Sequence, residues 1–331
     1  MPKKKLNLNQ QRRINHNQTK IEINADYKTG LIGLVVSHYG DQIDIEDNLG
    51  KKFKCNLRQN LPALAVGDRV LYQIEDLDKS IGVVNKLLPR RSLLTRMNSA
   101  AQTNKPIAAN LDQMLIIFSF EPEPQSLLID QFLITAHACD IQPILVFNKL
   151  DLFEKLDRNN KDEKTKIEQI NNLLSIYENI GYPILKTSLH HAASIKKLED
   201  LLADKNSLFI GASGVGKSTL TQQLVPDIKI KTGEINEKTL LGRHTTSVSK
   251  LYHLVNNGNL IDAPGIRELE VEHISQSDIE SAYPEFAPFV KKCKFRDCIH
   301  EKEPNCAFKQ AVHEGLINQV RWTNYLRLRA I

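Results

Sequence analysis

The most constraining feature of the sequence is a nine-residue run, Gly211-Ala-Ser-Gly-Val-Gly-Lys-Ser-Thr219, that follows the short apolar segment SLFI. The spacing G-x-x-x-x-G-K-[S/T], between a strand and a helix-forming segment, is the pattern of a phosphate-binding loop. Its glycines let backbone N–H groups turn toward phosphate oxygens, and the helix that follows adds the positive end of its dipole. The run therefore predicts an α/β unit that binds a nucleoside triphosphate.

All nine residues of this run are expected to form the nucleotide site, and two of them have chemical tasks of their own. The ammonium of Lys217 is expected to reach the β- and γ-phosphates and so to act in catalysis. The hydroxyl of Ser218 is expected to bind Mg²⁺. The other members of the run are expected to surround the phosphates: Gly211, Ala212, Ser213, Gly214, Val215, Gly216 and Thr219.

The tetrapeptide Asn148-Lys149-Leu150-Asp151 follows the apolar segment PILVF and predicts which base is bound. The Asp151 carboxylate can accept hydrogen bonds from both N1–H and the exocyclic amine of guanine. Adenine offers no such pair of donors and would leave the carboxylate unsatisfied. Asn148 can address the other side of the base, and the stem of Lys149 can lie along the ring. Together with the phosphate loop, the tetrapeptide predicts a site for GTP and GDP.

Two shorter signals fit the same site. Thr187 and Ser188 follow the segment PILK, where a second base contact is expected, although an ordinary helix start explains this pair nearly as well. Asp262 and Gly265 form a D-x-x-G motif at the end of another apolar segment. We expect Asp262 to hold Mg²⁺ through a water molecule and the Gly265 N–H to contact the γ-phosphate.

The sequence GRHTTS at 242–247 lies between the phosphate loop and the D-x-x-G motif. A threonine here can complete the Mg²⁺ shell and order the loop around a triphosphate; we favour Thr245, with Thr246 as the alternative. Many small GTPases place a water-orienting glutamine where this chain has Ile266, so unassisted hydrolysis should be slow. His244 is the nearest group able to position the attacking water. Contact with RNA or packing of the loop is the alternative role of His244.

The motifs occur in an unusual order, with the guanine-reading tetrapeptide ahead of the phosphate loop. Ordinary GTPases begin with the phosphate loop. A cyclic shift of the order preserves the same sheet if the original termini lie close together. Beyond residue 92, apolar strands alternate with helix-length segments, which is typical of a parallel sheet covered by helices. We therefore predict a circularly permuted α/β phosphate-loop GTPase domain at 89–272.

Different patterns flank this domain. Residues 29–88 contain five short strand-like runs separated by turn sequences, which predicts an N-terminal β-barrel with the OB-fold. Residues 273–331 are predicted to form a small α domain that contains Cys293, Cys298, His300 and Cys306. Three thiols and an imidazole are a complete tetrahedral ligand set for one structural Zn²⁺ per chain. Reduced cysteines beside a surface histidine are the alternative.

Several single residues are interpreted as packing residues. His137 and Cys139 lie in an apolar helical segment and are predicted to be part of the core. Trp322 and Tyr325 are three positions apart on a final helix predicted near 307–329, and this spacing is more often packing than base stacking.

The net charge of +5 is concentrated at the N-terminus. Residues 1–25 carry six Lys or Arg and one Glu, which accounts for the whole net charge of the chain. The basic, Asn- and Gln-rich leader 1–28 is expected to be disordered, either as a solubilising tail or as an arm for an anionic polymer. No apolar run approaches the length of a membrane span, so a cytoplasmic protein without membrane contact is expected.

The combined motifs resemble the ribosome small subunit-dependent GTPase A family of bacteria from about Gly30 to the C-terminus. The resemblance rests on these motifs: PRRSLLTR (89–96), NKLD (148–151), GASGVGKST (211–219), GRHTTS (242–247), DAPG (262–265) and the Cys/His set. It implies an OB domain, a permuted GTPase domain and a zinc domain. It also implies binding to the 30S subunit and its 16S rRNA late in maturation, with hydrolysis stimulated by that subunit.

The leading hypothesis is thus a monomeric GTPase that serves as a checkpoint in 30S assembly. Two alternatives stay open. The chain could be an RNA-binding module that uses GTP as a structural ligand, but intact Lys217, Ser218 and Asp262 favour catalysis. It could instead be a GTPase of large-subunit assembly, against which the barrel-like N-terminus and the Cys/His cluster argue.

Overall fold

A computed structural model describes most of the chain and divides it into two compact units. The described residues are 30–39, 42–58, 61–98, 103–225, 249–263, 271–272, 274–295, 298–300 and 303–330. As far as these reach, the first unit is Met1–Thr95 with Lys105–Asn110 and Val248–Leu251, and the second unit is the rest. No helix in the described part of the chain is both long enough and apolar enough to cross a membrane.

The first unit contains a five-stranded barrel. Its strands are β1 (Leu31–Tyr39), β2 (Gln42–Glu46), β3 (Lys52–Leu57), β4 (Arg69–Asp76) and β5 (Ile81–Leu87). They pair in the order β1-β2-β3-β5-β4, and β4 pairs back onto β1, which closes the barrel. The β3–β5 pairing is parallel, with Lys54 opposite Ile81, and the other pairings in the barrel are antiparallel. The predicted N-terminal OB-type barrel is confirmed.

The barrel core follows from alternation along the strands. Buried and more exposed side chains alternate along β2 and β3, as expected of strands with one face inside. Gly33 leaves room for this core, because a Cβ at that position would lie 2.2 Å from Ile45 Cγ2. The buried apolar members of the cluster are Val35, Ile43, Ile45, Phe53, Cys55, Leu64, Val70, Tyr72 and Val84.

Three further strands are described outside the barrel and the parallel sheet. β6 (Leu93–Asn98) and β7 (Thr103–Ala109) pair as a two-stranded sheet. β12 (Ser249–His253) pairs antiparallel with β1, where Lys250 lies opposite Ser37.

The second unit contains a parallel sheet of five strands. They are β8 (Gln113–Phe118), β9 (Gln142–Phe147), β10 (Ile184–Lys186), β11 (Asn206–Ile210) and β13 (Asn259–Asp262). Their spatial order is β10-β9-β8-β11-β13, and each neighbouring pair is parallel. The strand order therefore reverses between β8 and β11, and ligands of such sheets bind at the carboxyl ends beside this switch point.

In the part of this unit that the structure describes, five helices accompany the sheet. They are α1 (Ser126–Ala138), α2 (Leu150–Glu154), α3 (Lys161–Ile180), α4 (Ala192–Leu202) and α5 (Lys217–Leu224). The α4 and α5 helices contribute to an apolar cluster with the strands, as Leu198 and Leu220 pack with Leu115 and Val146. The predicted α/β architecture is confirmed in this unit.

The C-terminal module, defined as the described part of 274–330, is helical. It contains α6 (Gln276–Ser281), a 3₁₀ turn (Pro284–Phe286), α7 (Ala307–His313) and α8 (Gln319–Arg329). The single final helix predicted near 307–329 is wrong. Gly315 adopts a left-handed φ of 74° and ends the first of two helices.

The module shares its core with α1. Ile134 of α1 belongs to the same buried cluster as Phe286, Trp322 and Tyr325. The Phe286 ring lies 5.0 Å from the ring of Tyr325 and 6.1 Å from that of Trp322, which confirms that Trp322 and Tyr325 are packing residues. The prediction for His137 is wrong: its side chain is exposed, and its Nε2 lies 3.0 Å from the hydroxyl of Ser281.

Candidate functional site

The predicted phosphate loop connects β11 to α5 and depends on its glycines. Gly211, Gly214 and Gly216 have positive φ values of 147°, 81° and 97°. A Cβ on Gly211 would lie 2.0 Å from the Ile117 carbonyl oxygen. A Cβ on Gly216 would lie 2.4 Å from the side-chain amide of Asn148. The backbone path and the close approach of neighbouring groups therefore both require glycine here.

The predicted phosphate-binding side chains lie where this loop becomes α5. Gly216 is the N-cap, so the first turn has no side-chain cap and its N–H groups face the loop. The ammonium of Lys217 donates to the carbonyls of Gly211 at 2.8 Å and Ala212 at 2.6 Å, which holds it over the loop. Ser213, Ser218 and Thr219 are exposed. This arrangement offers backbone donors and one cation to an anionic ligand.

Asn148 joins the guanine-reading tetrapeptide to the phosphate loop. It directly follows β9 and is 3% exposed. Its Nδ2 donates to the Val215 carbonyl at 2.9 Å, and its Oδ1 accepts from the hydroxyl of Thr187 at 3.0 Å. Three loops are thus fastened to one buried amide. The geometry gives Asn148 a linking task, and its predicted contact with the base stays a prediction.

Lys149 begins the helix that carries the rest of the tetrapeptide. It has a left-handed backbone, with φ 61° and ψ 37°, and is the N-cap of α2. Its ammonium donates to the Glu121 carbonyl at 2.8 Å. The N–H of Leu150 donates to the Thr187 carbonyl at 3.0 Å. These bonds fix the backbone at the start of α2, where Asp151 lies.

The predicted base-reading carboxylate is held in its ionised form. Asp151 Oδ1 accepts from the Ser188 hydroxyl at 2.6 Å, and His190 Nε2 lies 3.9 Å from Oδ2. The hydrogen bond from Ser188 is the main reason that the pKa of Asp151 is lowered. Ser194 supports Ser188 in turn, because its hydroxyl accepts from the Ser188 N–H at 3.0 Å. An ionised acceptor is what a guanine-reading residue requires.

Thr187 and Ser188 therefore support the two neighbouring motifs. Both side chains are fully buried, and their hydroxyls bond to Asn148 and Asp151 respectively. The sequence predicted that this pair lies near the site and makes a second contact with the base. It gave no signal for Ser194 or for the carbonyls of Val215 and Glu121, since those depend on how the loops meet.

Asp262 is at the end of β13 and is followed by the buried Ala263, while Pro264 and Gly265 of the motif lie outside the described residues. Desolvation raises the pKa of the Asp262 carboxyl, and the Lys217 ammonium opposes this rise, so the two charges influence each other. Gly265, His244, Thr245, Thr246 and Ile266 lie outside the described residues. The roles predicted for them stay predictions.

The structure brings three of the predicted motifs together at the carboxyl ends of β9, β10 and β11. The links are direct hydrogen bonds between the phosphate loop, the tetrapeptide and the Thr187–Ser188 pair. They lie beside the switch point of the sheet, where such sheets bind ligands. The arrangement can hold a guanine at one end and a chain of phosphates at the other.

A second cluster of predicted ligands lies in the C-terminal module. One ligand atom from each of Cys293, Cys298, His300 and Cys306 can be chosen so that all four lie within 4.8 Å of one another. Cys293 Sγ is 3.9 Å from Cys306 Sγ, and His300 Nδ1 is 3.5 Å and 3.4 Å from these two sulfurs. Tetrahedral metal–sulfur bonds of about 2.3 Å place two sulfurs about 3.8 Å apart. The donor set and its spacing fit one tetrahedral metal ion.

The surroundings of His300 determine which ring nitrogen faces the cluster. His300 has a left-handed φ of 64°, and its ring packs 4.2 Å from that of Phe308. Its Nδ1 faces the sulfurs, while Nε2 lies 3.4 Å from Glu280 Oε2. The bond with His300 is the main reason that the pKa of Glu280 is lowered. A carboxylate behind a histidine ligand orients the ring and increases its basicity. Sequence reasoning missed Glu280, which lies outside the Cys/His cluster in the chain.

Comparison with known proteins places these observations in a family. The RsgA GTPase family model matches residues 87–272, more than half of the 331-residue chain. The chain is 39% identical over 302 residues to "Small ribosomal subunit biogenesis GTPase RsgA" of Pseudomonas fluorescens, covering 90% of this chain and 84% of that protein. It is 40% identical over 338 residues to "Small ribosomal subunit biogenesis GTPase RsgA 1" of Vibrio vulnificus, covering 98% and 93%.

Solved structures agree with the sequence comparison. The crystal structure of YjeQ from Thermotoga maritima is similar, with a TM-score of 0.71 and 31% identity over 91% of this chain and 98% of that one. The crystal structure of YloQ, a circularly permuted GTPase, is also similar, with a TM-score of 0.67 and 28% identity over 93% of this chain and 96% of that one. These likenesses confirm the circularly permuted fold predicted from the order of the motifs. With the family model and these relatives covering most of its length, the chain belongs to the RsgA GTPase family.

Proposed function

We propose that this chain hydrolyses GTP to GDP and phosphate while bound to the small ribosomal subunit, as a checkpoint late in the assembly of that subunit. The observation that carries the enzymatic part is the buried Asn148 amide. It fastens the phosphate loop to the guanine motif in a chain that belongs to a GTPase family. The partner is supported by the names of the relatives, which are small ribosomal subunit biogenesis GTPases.

Asp151 selects guanine in this proposal. Its carboxylate is ionised and fixed by Ser188, so that it accepts from N1–H and the exocyclic amine of the base. A base without these donors would leave the acceptor positions of the carboxylate that face the base unsatisfied, which costs about 1–3 kcal/mol or more. The aliphatic stem of Lys149 lies along the face of the guanine ring, because the bond from its ammonium to the Glu121 carbonyl holds the stem beside the site.

The phosphates are held by the phosphate loop from Gly211 to Thr219, with Lys217 as the cation. Mg²⁺ would be held by Ser218, Thr245 and, through a water molecule, Asp262. Its contribution when bound is to neutralise charge that develops on the phosphate oxygens. The exposed Ser218 hydroxyl and the electrostatic link between Asp262 and Lys217 support this assignment. Gly265 completes the set with its N–H toward the γ-phosphate.

His244 is proposed to position the attacking water, because Ile266 offers no hydrogen bond at the position next to D-x-x-G. His244→Ala should then leave GTP affinity unchanged while turnover on 30S subunits falls by about 10²-fold or more. Single-turnover hydrolysis on saturating 30S subunits measures this. A variant that hydrolyses GTP at the normal rate once bound would assign the water to another group.

Zn²⁺ is the proposed metal of the C-terminal module, at one ion per chain. Three thiols and one imidazole leave no open coordination position on a tetrahedral ion, so the site is structural. Elemental analysis of the purified chain tests the stoichiometry. We further propose that the protein acts in the cytoplasm as a monomer, contacts 16S rRNA, and uses the basic leader 1–28 as an arm toward that RNA.

The test of the whole function is GTP hydrolysis by the full chain, alone and with purified 30S or 50S subunits. We expect slow turnover alone, strong stimulation by 30S subunits and little by 50S subunits. Stimulation by 50S subunits would indicate large-subunit assembly instead. GTP binding without turnover on either subunit would indicate an RNA-binding module with GTP as a structural ligand.

The test of base recognition is Asp151→Asn, which replaces an acceptor with an amide that donates to the O2 of xanthine. GTP affinity should fall and affinity for xanthosine triphosphate should rise. Asp200→Asn, on an exposed aspartate of α4, is the matched control and should change neither. An unchanged preference for GTP in the Asp151 variant would remove the base-reading role.

A further inference from the structure

A buried ion pair joins the last helix of the C-terminal module to α1. Asp130 and Arg321 have side chains that are 0% and 1% exposed, and Arg321 Nη1 donates to Asp130 Oδ1. Asp130 Oδ1 also accepts from the Tyr177 hydroxyl at 2.7 Å, and its Oδ2 accepts from Asn324 Nδ2 at 2.8 Å. Burial raises the pKa of Asp130, but all its partners are donors and only the carboxylate satisfies all of them. The pair is therefore ionised.

The guanidinium of Arg321 is enclosed on its edges and on one face. Its Nε and Nη2 donate to the two carboxylate oxygens of Glu285 at 2.7 Å and 3.3 Å. The central carbon of the guanidinium, Cζ, lies 4.1 Å from the ring centre of Tyr283. Burial disfavours the charge, but Asp130 and Glu285 outweigh burial and raise the pKa of Arg321 above its usual range. One planar group thus fixes α8, α1 and the 3₁₀ turn in a single arrangement.

Folding stability by itself does not explain why this ion pair is buried. Replacing a buried ion pair by apolar side chains of similar volume is often neutral or stabilising. Charged groups add a restriction on the relative orientation of the two helices, because the planar guanidinium of an arginine matches a carboxylate in only a few geometries. The contribution that apolar packing would not reproduce is the fixed register of α8 on α1.

The N-terminus of α1, one turn before Asp130, directly follows the segment that contacts the guanine-reading loop. The Ser126 hydroxyl, at the start of the helix, accepts from Asn324 Nδ2 at 3.1 Å. The chain before it carries the Glu121 carbonyl, which accepts from the Lys149 ammonium at 2.8 Å and the Ser119 hydroxyl at 2.6 Å. One short segment is therefore held by α8 on one side and by the N-K-x-D motif on the other.

We propose that α1 couples the guanine site to the C-terminal module, and that Asp130 and Arg321 are the positioning residues for this coupling. Guanine fixes Lys149, Lys149 fixes the Glu121 carbonyl, and α1 transmits this order to α8 through the buried pair. Because coupling between two sites is reciprocal, a correctly seated α8 also tightens nucleotide binding. The inference rests on the proposed nucleotide site and is independent of the ribosomal partner.

The experiment uses the full, metal-loaded chain and GDP. Amide hydrogen exchange in α8 is measured with and without GDP in the wild type, in the double variant Asp130→Leu with Arg321→Met, and in Arg327→Met. Arg327 is an exposed arginine of the same helix and serves as the matched control. GDP should slow exchange in α8 of the wild type and the control but not of the double variant. The Kd for GDP should rise by about five-fold or more in the double variant alone.

Arg321→Lys provides a charge-conserving test should the double variant fold poorly. A lysine keeps the charge beside Asp130 but cannot also serve both oxygens of Glu285, so it should weaken GDP-dependent protection of α8 without abolishing it. The coupling is refuted by GDP binding that leaves exchange in α8 unchanged in the wild type. It is equally refuted by identical protection and Kd in the wild type and in whichever of these variants is folded. A wild type that does not bind GDP would refute the proposed nucleotide site instead.

Discussion

The barrel and the C-terminal module are stabilised in different ways. The barrel core is an apolar cluster produced by alternation along short strands, and its buried carboxylate, Asp68, pairs with the less buried Arg90 at 2.7 Å. The module encloses Arg321, Asn324 and His300 among its aromatic rings. It also gathers four potential metal ligands within 4.8 Å. The barrel therefore depends mainly on the apolar surface that it buries, whereas the module adds directional contacts to its own apolar cluster.

Removing the proposed zinc ion should have the largest effect and should separate the two regions. Thiolates gathered without an ion repel each other, and structural zinc sites supply about 10–16 kcal/mol of apparent binding free energy. Treatment with a strong chelator should release about one zinc per chain and sharply increase hydrogen exchange in α7 and α8. Exchange in β1–β5 should stay slow.

Cys306→Ser should reproduce this result without a chelator, and Cys139→Ser, outside the cluster, should retain the metal. Barrel strands that lose protection together with α7 and α8 would contradict the separation of the two regions.

The single variant Arg321→Met should have the next largest effect. It leaves the carboxylate of Asp130 buried and unpaired, which typically destabilises by about 3–5 kcal/mol. Arg327→Met on the exposed face should change the free energy of unfolding by less than about 0.5 kcal/mol. Urea denaturation of both variants measures the difference. Equal losses would show that the buried charge contributes nothing beyond side-chain packing.

Gly33→Ala tests how tightly the barrel core is filled. The added Cβ would lie 2.2 Å from Ile45 Cγ2 and 3.0 Å from the Tyr72 ring, so neighbouring side chains must move. Overpacking of this kind costs about 1–3 kcal/mol. Leu49→Ala, at a turn residue that is 86% exposed, is the control and should be nearly neutral. A neutral Gly33 variant would indicate a looser core than the structure shows.

Matched deletions of one methyl group should have the smallest effect and be similar in both regions. Ile45→Val in the barrel and Ile317→Val in the module remove the same atoms from side chains that are 0% and 1% exposed. Each should cost about 0.5–1.5 kcal/mol in thermal or urea unfolding. A much larger loss in the module would show that its apolar packing also differs from that of the barrel.

Predictability from the sequence follows the same division. Short strand-like runs separated by turn sequences were enough to predict five strands in 29–88, because strand and turn preferences are both local. In the module, the sequence predicted the four ligands, which lie close together in the chain. It missed Glu280, and it placed one helix where Gly315 divides two, because a single glycine interrupts an otherwise helical composition. His137 was predicted to be buried from the apolar character of its segment, but it lies on the exposed side of α1.

The sequence by itself determined the chemistry of the nucleotide site and the order of its motifs. A phosphate loop needs glycines at fixed spacing and a guanine reader needs a carboxylate after a strand, so both requirements are local and visible in the chain. Only the tertiary structure showed that Asn148 bonds to the phosphate loop and that Asp130 pairs with Arg321. Those contacts join residues far apart in sequence. They are selected because a buried polar group without a partner costs free energy, and no local pattern records which distant group becomes the partner.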